Sequence, residues 1–124
     1  MVSDRFKKVL PQNSPATEGI EDQVERMLFD LIGKINDKRP EDRNIAKEKN
    51  TELFGEGGAL DSLELVNLIV AFEEKIRSNL NLAITLADDR AMSQKRNPFR
   101  SIGSLTDYAI MLIKEKVNGQ QKSL

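Results

Sequence analysis

The residues best able to carry chemistry lie in one short segment, Gly58-Ala59-Leu60-Asp61-Ser62-Leu63. Asp61 stands where a helix N-cap belongs, and Glu64 follows three residues later, as in a capping box. A serine in the first turn of a helix is exposed, and a phosphate on its hydroxyl would meet the positive end of the helix dipole. Such a position would stabilise a phosphodiester on Ser62. Taken alone, however, these residues favour the simpler interpretation, an Asp-Ser pair that only caps the helix.

The composition excludes most enzyme classes. The chain has 124 residues with no Cys and no His, so thiol nucleophiles, disulfides, Cys/His zinc sites and His-based acid–base catalysis are absent. A Ser-His-Asp triad cannot form, and a hydrolase built on Ser62 alone would lack a suitable base. We therefore expect a protein that is not an enzyme.

Two long amphipathic helices flank the serine segment in the chain. The first is predicted over 18–35, capped by Thr17, and its apolar residues recur every three or four positions. The second is predicted over 62–80, and its apolar arc is wider than one buried stripe needs, so part of it should be exposed. Between them lies a long connection, 36–60, whose apolar residues should hold it to the core: Ile45, Leu53, Phe54 and Leu60.

Two further helices complete the predicted fold. A short one is expected over 86–94, capped by Thr85, and a longer one over 105–117, capped by Ser104 with Asp107 at the box position. The fold class is therefore all-α: a small four-helix bundle of three main helices and one short helix, with a long loop between the first two. The predicted organisation is a flexible N-terminal arm (1–17), a helical domain (18–117) and a C-terminal tail (118–124).

Charge is strongly segregated along the chain. Residues 50–74 contain no Lys or Arg, although the whole chain has 19. The segment contains six acidic residues: Glu52, Glu56, Asp61, Glu64, Glu73 and Glu74. Such a surface steers basic partners. The alternative is that the run of acidic residues is simply the solvent-exposed face of a helix, as most charge runs are. The formal net charge of −1 does not indicate nucleic-acid binding.

Two stretches of the chain resemble the acyl carrier protein family, in particular free-standing carriers with a Gly-x-Leu-Asp-Ser-Leu core. Residues 53–76 read LFGEGGALDSLELVNLIVAFEEKI, and residues 97–108 read NPFRSIGSLTDY, which is similar to the family's entry into its last helix. The resemblance covers about residues 18–117, with both motifs in the expected order.

The resemblance implies a cofactor and partners. Ser62 would receive 4′-phosphopantetheine from coenzyme A, with Asp61 and Leu63 beside it, and the arm would carry acyl groups as thioesters. Acidic residues would recognise basic surfaces on a phosphopantetheinyl transferase and on acyl-loading, acyltransferase or synthase enzymes: Asp61, Glu64, Glu73 and Glu74. Leu65 and Val70 would face partners or line an acyl cleft, or else lie in the core. Leu63 is expected to pack under the preceding loop.

Departures from the family pattern favour a specialised carrier. Asn67 stands where many fatty-acid carriers have an acidic residue, and the segment 88–100 is unusually long and basic, as a solvated loop or a second contact surface. The expected pathway is specialised lipid synthesis, such as lipid A, another envelope lipid or a fatty acid. Polyketide, peptide or aminoacyl (D-alanyl-type) transfer and a non-carrier interaction module remain alternatives. We expect a cytoplasmic monomer without a membrane-inserted segment.

Overall fold

A computed structural model describes residues 19–88 and 97–122 of the chain. Within those ranges the regular structure is helical. It comprises the α-helices α1 (Ile20–Asn36), α2 (Ser62–Leu80) and α3 (Ile102–Lys122), together with a short 3₁₀ turn, Glu41–Arg43. A small helical bundle is therefore confirmed for the described part of the chain.

Helix α1 agrees closely with the amphipathic pattern that predicted it. Its buried face consists of residues that recur at spacings of three and four positions: Val24, Met27, Leu28, Leu31 and Ile32. The helix begins after Gly19, which makes no side-chain cap. Thr17, the predicted cap, lies outside the described residues, as does the predicted arm 1–17. Pro40 follows soon after the helix ends at Asn36, as expected from its missing N–H.

Helix α2 has the predicted bounds, Ser62 to Leu80. Its start is set by the Asp61 cap, and its end by Asn81, which adopts a left-handed conformation (φ 58°) and donates its N–H to the Arg77 carbonyl. Asn tolerates this conformation better than most residues, so it serves as a helix terminator.

Helix α3 corrects the sequence prediction at both ends. It begins at Ile102 rather than 105, and it continues through Lys122, into the segment assigned to a tail. The cap is Ser101 rather than Ser104, because the Ser104 N–H donates to Ser101 Oγ (3.1 Å) and the Ser101 N–H donates to Ser104 Oγ (3.0 Å). Ser104 therefore occupies the third helical position of a reciprocal box.

The predicted short helix 86–94 is largely outside the described residues, which resume at Asn97. Residues 86–88 are described, and they form a bend rather than a helical turn. Leu86 is nevertheless fully buried, so this segment contributes a side chain to the core without being helical there.

The core lies where α1 packs against both α2 and α3. Each helix contributes one apolar face, and Phe72 of α2 is fully buried at the centre. Connecting segments add further buried side chains: Ile45, Leu53, Leu60, Leu86 and Phe99. Three of the four residues expected to hold the connection to the core are therefore buried, while Phe54 is partly buried against it.

Backbone hydrogen bonds join the α1–α2 connection to the segment before α3. Leu53 N–H donates to the Arg100 carbonyl (2.7 Å), and Ile102 N–H donates to the Thr51 carbonyl (3.0 Å), around an antiparallel bridge between Glu52 and Ser101. The beginnings of segments 53–76 and 97–108 therefore lie side by side.

No helix in the described ranges combines the length and the apolar character needed to cross a membrane.

Candidate functional site

Ser62 is the first residue of α2, and its side chain is exposed. Among the described residues its hydroxyl makes no hydrogen bond, so the capping role belongs to Asp61 alone. The N–H groups of the first helical turn have no carbonyl acceptor within the helix. The serine oxygen is therefore accessible, chemically uncommitted and close to an electropositive helix end.

The predicted capping box is confirmed. Asp61 Oδ1 accepts the Glu64 N–H at 2.8 Å, and Glu64 Oε1 accepts the Asp61 N–H at 3.0 Å. A box of this kind satisfies two backbone donors that the helix itself leaves unpaired. Asp61 and Glu64 thus fix the conformation of the residues on either side of Ser62.

Arg39, which the sequence patterns did not single out, connects the start of α2 to the residues that follow α1. Its Nη2 donates to the Ala59 carbonyl and to Glu64 Oε2, each at 3.0 Å, while Nη1 donates to the Arg43 carbonyl at 3.3 Å. One guanidinium therefore joins the end of α1 to both sides of Ser62. The available sequence signal was weak, since Arg39 is one cation in a mixed charged stretch before Pro40.

The hydrogen bonds to Glu64 also affect its ionisation. The Asp61 N–H, followed by the Arg39 guanidinium, lowers the pKa of the Glu64 carboxyl below its ordinary value of 4.5. The charged form is therefore favoured by folding, and its contribution is present above the unfolded-state pKa and lost as the pH falls through the folded-state pKa. Both Glu64 oxygens are engaged within the protein, which leaves less of this carboxylate for a partner.

The Gly-rich approach to Ser62 requires glycine for two different reasons. Gly55 and Gly57 have φ values of 111° and 83°, a region that L-residues with side chains rarely adopt. Gly58 instead lies against backbone, since a Cβ there would be 2.7 Å from the Leu53 carbonyl oxygen. This turn brings Leu60 N–H to the Leu53 carbonyl at 2.8 Å.

The side chains after Ser62 correct one expectation and decide between two alternatives for another. Leu63, expected under the loop, is 69% exposed, whereas Leu65, expected to face partners or a cleft or else lie in the core, is 7% exposed and belongs to the core. Val66 and Val70 are also more than half exposed. The predicted excess of apolar surface on α2 is therefore real, and it consists of Leu63, Val66 and Val70, which recur at helical spacing on one outward face.

The remaining acidic residues of the predicted partner surface differ in their environments. Glu73 accepts the Leu86 N–H at 2.6 Å, so it holds the segment after α2. Glu74 is exposed and pairs with Arg77 on the same helix. Glu52 lies 3.7 Å from Arg100. Several charges in the acidic stretch are thus partly compensated by cations from outside it, which the linear sequence does not reveal.

A groove of about 410 Å³ runs between α1 and α2. Glu64, Asn67, Leu68 and Ala71 line it from α2, so it begins in the same helical turn as Ser62. Its opposite wall comes from the last turns of α1 and from the residues that follow.

No family model, no curated protein and no solved structure matches this chain.

Proposed function

We propose that this chain is an acyl carrier protein that bears a phosphopantetheine arm on Ser62. The observation that carries the proposal is the exposed Ser62 hydroxyl at the start of α2, without a hydrogen-bond partner among the described residues. Gly58, Leu60 and Asp61 of the same motif each have an identifiable structural task, whereas the serine has none.

The surroundings of Ser62 fit such a group. An exposed serine lets a long substituent extend into solvent, and the N-terminal end of α2 favours the phosphate at the attachment point. When bound, the group supplies a terminal thiol that holds acyl chains as thioesters. The chain's own residues hold the attachment point: Asp61 and Glu64 through the capping box, and Arg39 through its bonds on both sides of Ser62.

The proposed partners are a phosphopantetheinyl transferase and acyl-loading, acyltransferase or synthase enzymes with basic docking surfaces. Of the predicted acidic contacts, Glu74 is exposed and Asp61 lies next to the serine. The pathway we propose is specialised lipid synthesis, of lipid A, another envelope lipid or a fatty acid. Polyketide, peptide or aminoacyl transfer is the carrier alternative, and the location we propose is the cytoplasm.

The proposal is tested by intact mass. The protein is incubated with coenzyme A and a broad-range phosphopantetheinyl transferase, and the expected result is a gain of one phosphopantetheine. Ser62→Ala should abolish the gain. Ser78→Ala, which removes another exposed serine of α2, should leave it unchanged.

A transferase that loads a known carrier but not this chain would contradict the proposal, as would loading that survives Ser62→Ala. The first result would favour a helical interaction module that needs no cofactor, whereas the second would mean that the arm is attached at another residue. The specific observation in favour of that second candidate is the outward apolar face of α2, formed by Leu63, Val66 and Val70, because exposed apolar surface of this kind is typical of protein contacts.

A further inference from the structure

The groove between α1 and α2 combines an apolar floor with a cationic rim. Leu31 and Ile35 of α1 and Leu68 and Ala71 of α2 supply the apolar surface. Its volume of about 410 Å³ falls within the range of small-molecule sites, roughly 300–1,000 Å³. The groove therefore has room for the tail of a small ligand.

The charge of the groove wall is positive. Lys34 and Lys38 line it, are both exposed, and form no ion pair with any described residue. The other two charged residues of the wall, Arg39 and Glu64, neutralise each other at 3.0 Å. Two uncompensated ammonium groups at the edge of apolar surface are complementary to one ligand type, an anionic head with an apolar tail.

We propose that this groove binds a small anionic amphiphile, a carboxylate with an unbranched hydrocarbon tail. The tail lies along Leu31, Ile35, Leu68 and Ala71, and the carboxylate lies between Lys34 and Lys38. This site is separate from the exposed α2 face formed by Leu63, Val66 and Val70, and it does not depend on modification of Ser62.

The test is an NMR titration of the ¹⁵N-labelled full chain with octanoate, below the concentration at which octanoate forms micelles. The expected result is a saturable set of amide shifts that is largest at 31–39 and at the groove-lining residues of α2: Glu64, Asn67, Leu68 and Ala71. Octyltrimethylammonium, which has the same tail and the opposite charge, should bind at least about tenfold more weakly, since its head would meet two lysines.

Variants distinguish the contribution of the two lysines to binding from that of the apolar surface. The double variant Lys34→Gln/Lys38→Gln should weaken octanoate binding roughly fivefold, the effect expected of two solvent-exposed charges. The matched double variant Lys49→Gln/Lys116→Gln makes the same change in net charge at two exposed lysines that do not line the groove, and it should bind as the wild type does. Ala71→Leu, which fills the floor, should weaken binding although both lysines remain.

Three results would overturn the proposal: the absence of saturable shifts, equal binding of the cationic amphiphile, or shifts that map to Leu63, Val66 and Val70. Equal weakening by the two double variants would also overturn it, because attraction to overall charge would then explain the binding. Circular dichroism of each variant checks that the helices are intact. Octanoate binding and Ser62 loading are measured separately, so failure of either proposal is recognised without reference to the other.

Discussion

Leu63 and Leu65 are two positions apart on α2 and lie in opposite environments. At about 100° per residue, positions i and i+2 point to nearly opposite sides of a helix. Leu63 is 69% exposed and Leu65 is buried. Both are leucines in an apolar run, so their identities do not distinguish the buried position from the exposed one.

Substitutions at these two leucines should therefore have very different effects on stability. Leu65→Ala should lower the free energy of unfolding by about 2–5 kcal/mol, because it leaves a cavity in the core. Leu63→Asp should change it by no more than about 0.5 kcal/mol, since the side chain is exposed and an acid is tolerated in the first turn of a helix.

Urea denaturation of the two variants and the wild type measures both effects. A large loss of stability in Leu63→Asp would mean that Leu63 packs under the loop after all. If it folds normally but loads poorly with phosphopantetheine, Leu63 contributes to recognition instead.

Individual polar residues around Ser62 were partly predictable. The Asp61 and Glu64 box follows from residue types at a fixed spacing, since the contact is local. The Arg39–Glu64 pair joins residues 25 positions apart, and nothing in the linear sequence selects Arg39 from the neighbouring cations. This is why Glu64, predicted as a partner contact, proves to have both carboxylate oxygens engaged internally.

At the scale of the elements, α3 differs most from its prediction. Its predicted start depended on Ser104 and Asp107 as a box, but Ser101 and Ser104 form the box one turn earlier. Two candidate caps in one short segment compete, and tertiary contacts decide between them. Backbone hydrogen bonds from Ile102 to Thr51 and from Gly103 to Lys49 hold the earlier turn against the connection.

The far end of α3 provides a direct test. Gly119 lies within the helix, and a Cβ added there would meet no atom within 4 Å. Gly119→Ala should therefore raise the free energy of unfolding, by up to about 1 kcal/mol, because alanine favours a helix and glycine does not.

Thermal denaturation monitored by circular dichroism measures this change. Gly55→Ala is the control, because it should change the free energy of unfolding in the opposite direction. The φ of 111° at this position is strained for alanine, so the free energy of unfolding should fall by on the order of 1 kcal/mol. An unchanged Tm for Gly119→Ala would indicate that the helix ends near 117, as the sequence pattern predicted.

At the scale of the whole molecule, the α1–α2 connection is part of the folded core. Leu53 is fully buried, and its backbone N–H donates to Arg100 across the molecule. The connection therefore couples the start of α2, where Ser62 lies, to the entry into α3. The positive φ values of Gly55 and Gly57 allow the connection to turn back between Leu53 and Ser62.

Leu53→Ala should accordingly destabilise the entire fold and not only a loop. The expected loss is about 2–5 kcal/mol in the free energy of unfolding, with one cooperative transition. Glu52→Gln, which alters only the exposed pair with Arg100, should cost no more than about 1 kcal/mol. Two separate transitions in Leu53→Ala, or a loss no larger than that of Glu52→Gln, would show that the connection is not integral to the core.

By itself, the sequence determined the helical class, the bounds of α2, the capping box beside Ser62 and the apolar anchors of the connection. These follow from periodicity, residue type and fixed local spacing, which need no knowledge of the rest of the fold. Only the tertiary structure decided which face of α2 is buried, which serine caps α3, and that Arg39 holds Glu64. Each of those outcomes depends on contacts between residues distant in the chain, and many pairings of similar side chains satisfy the same linear pattern.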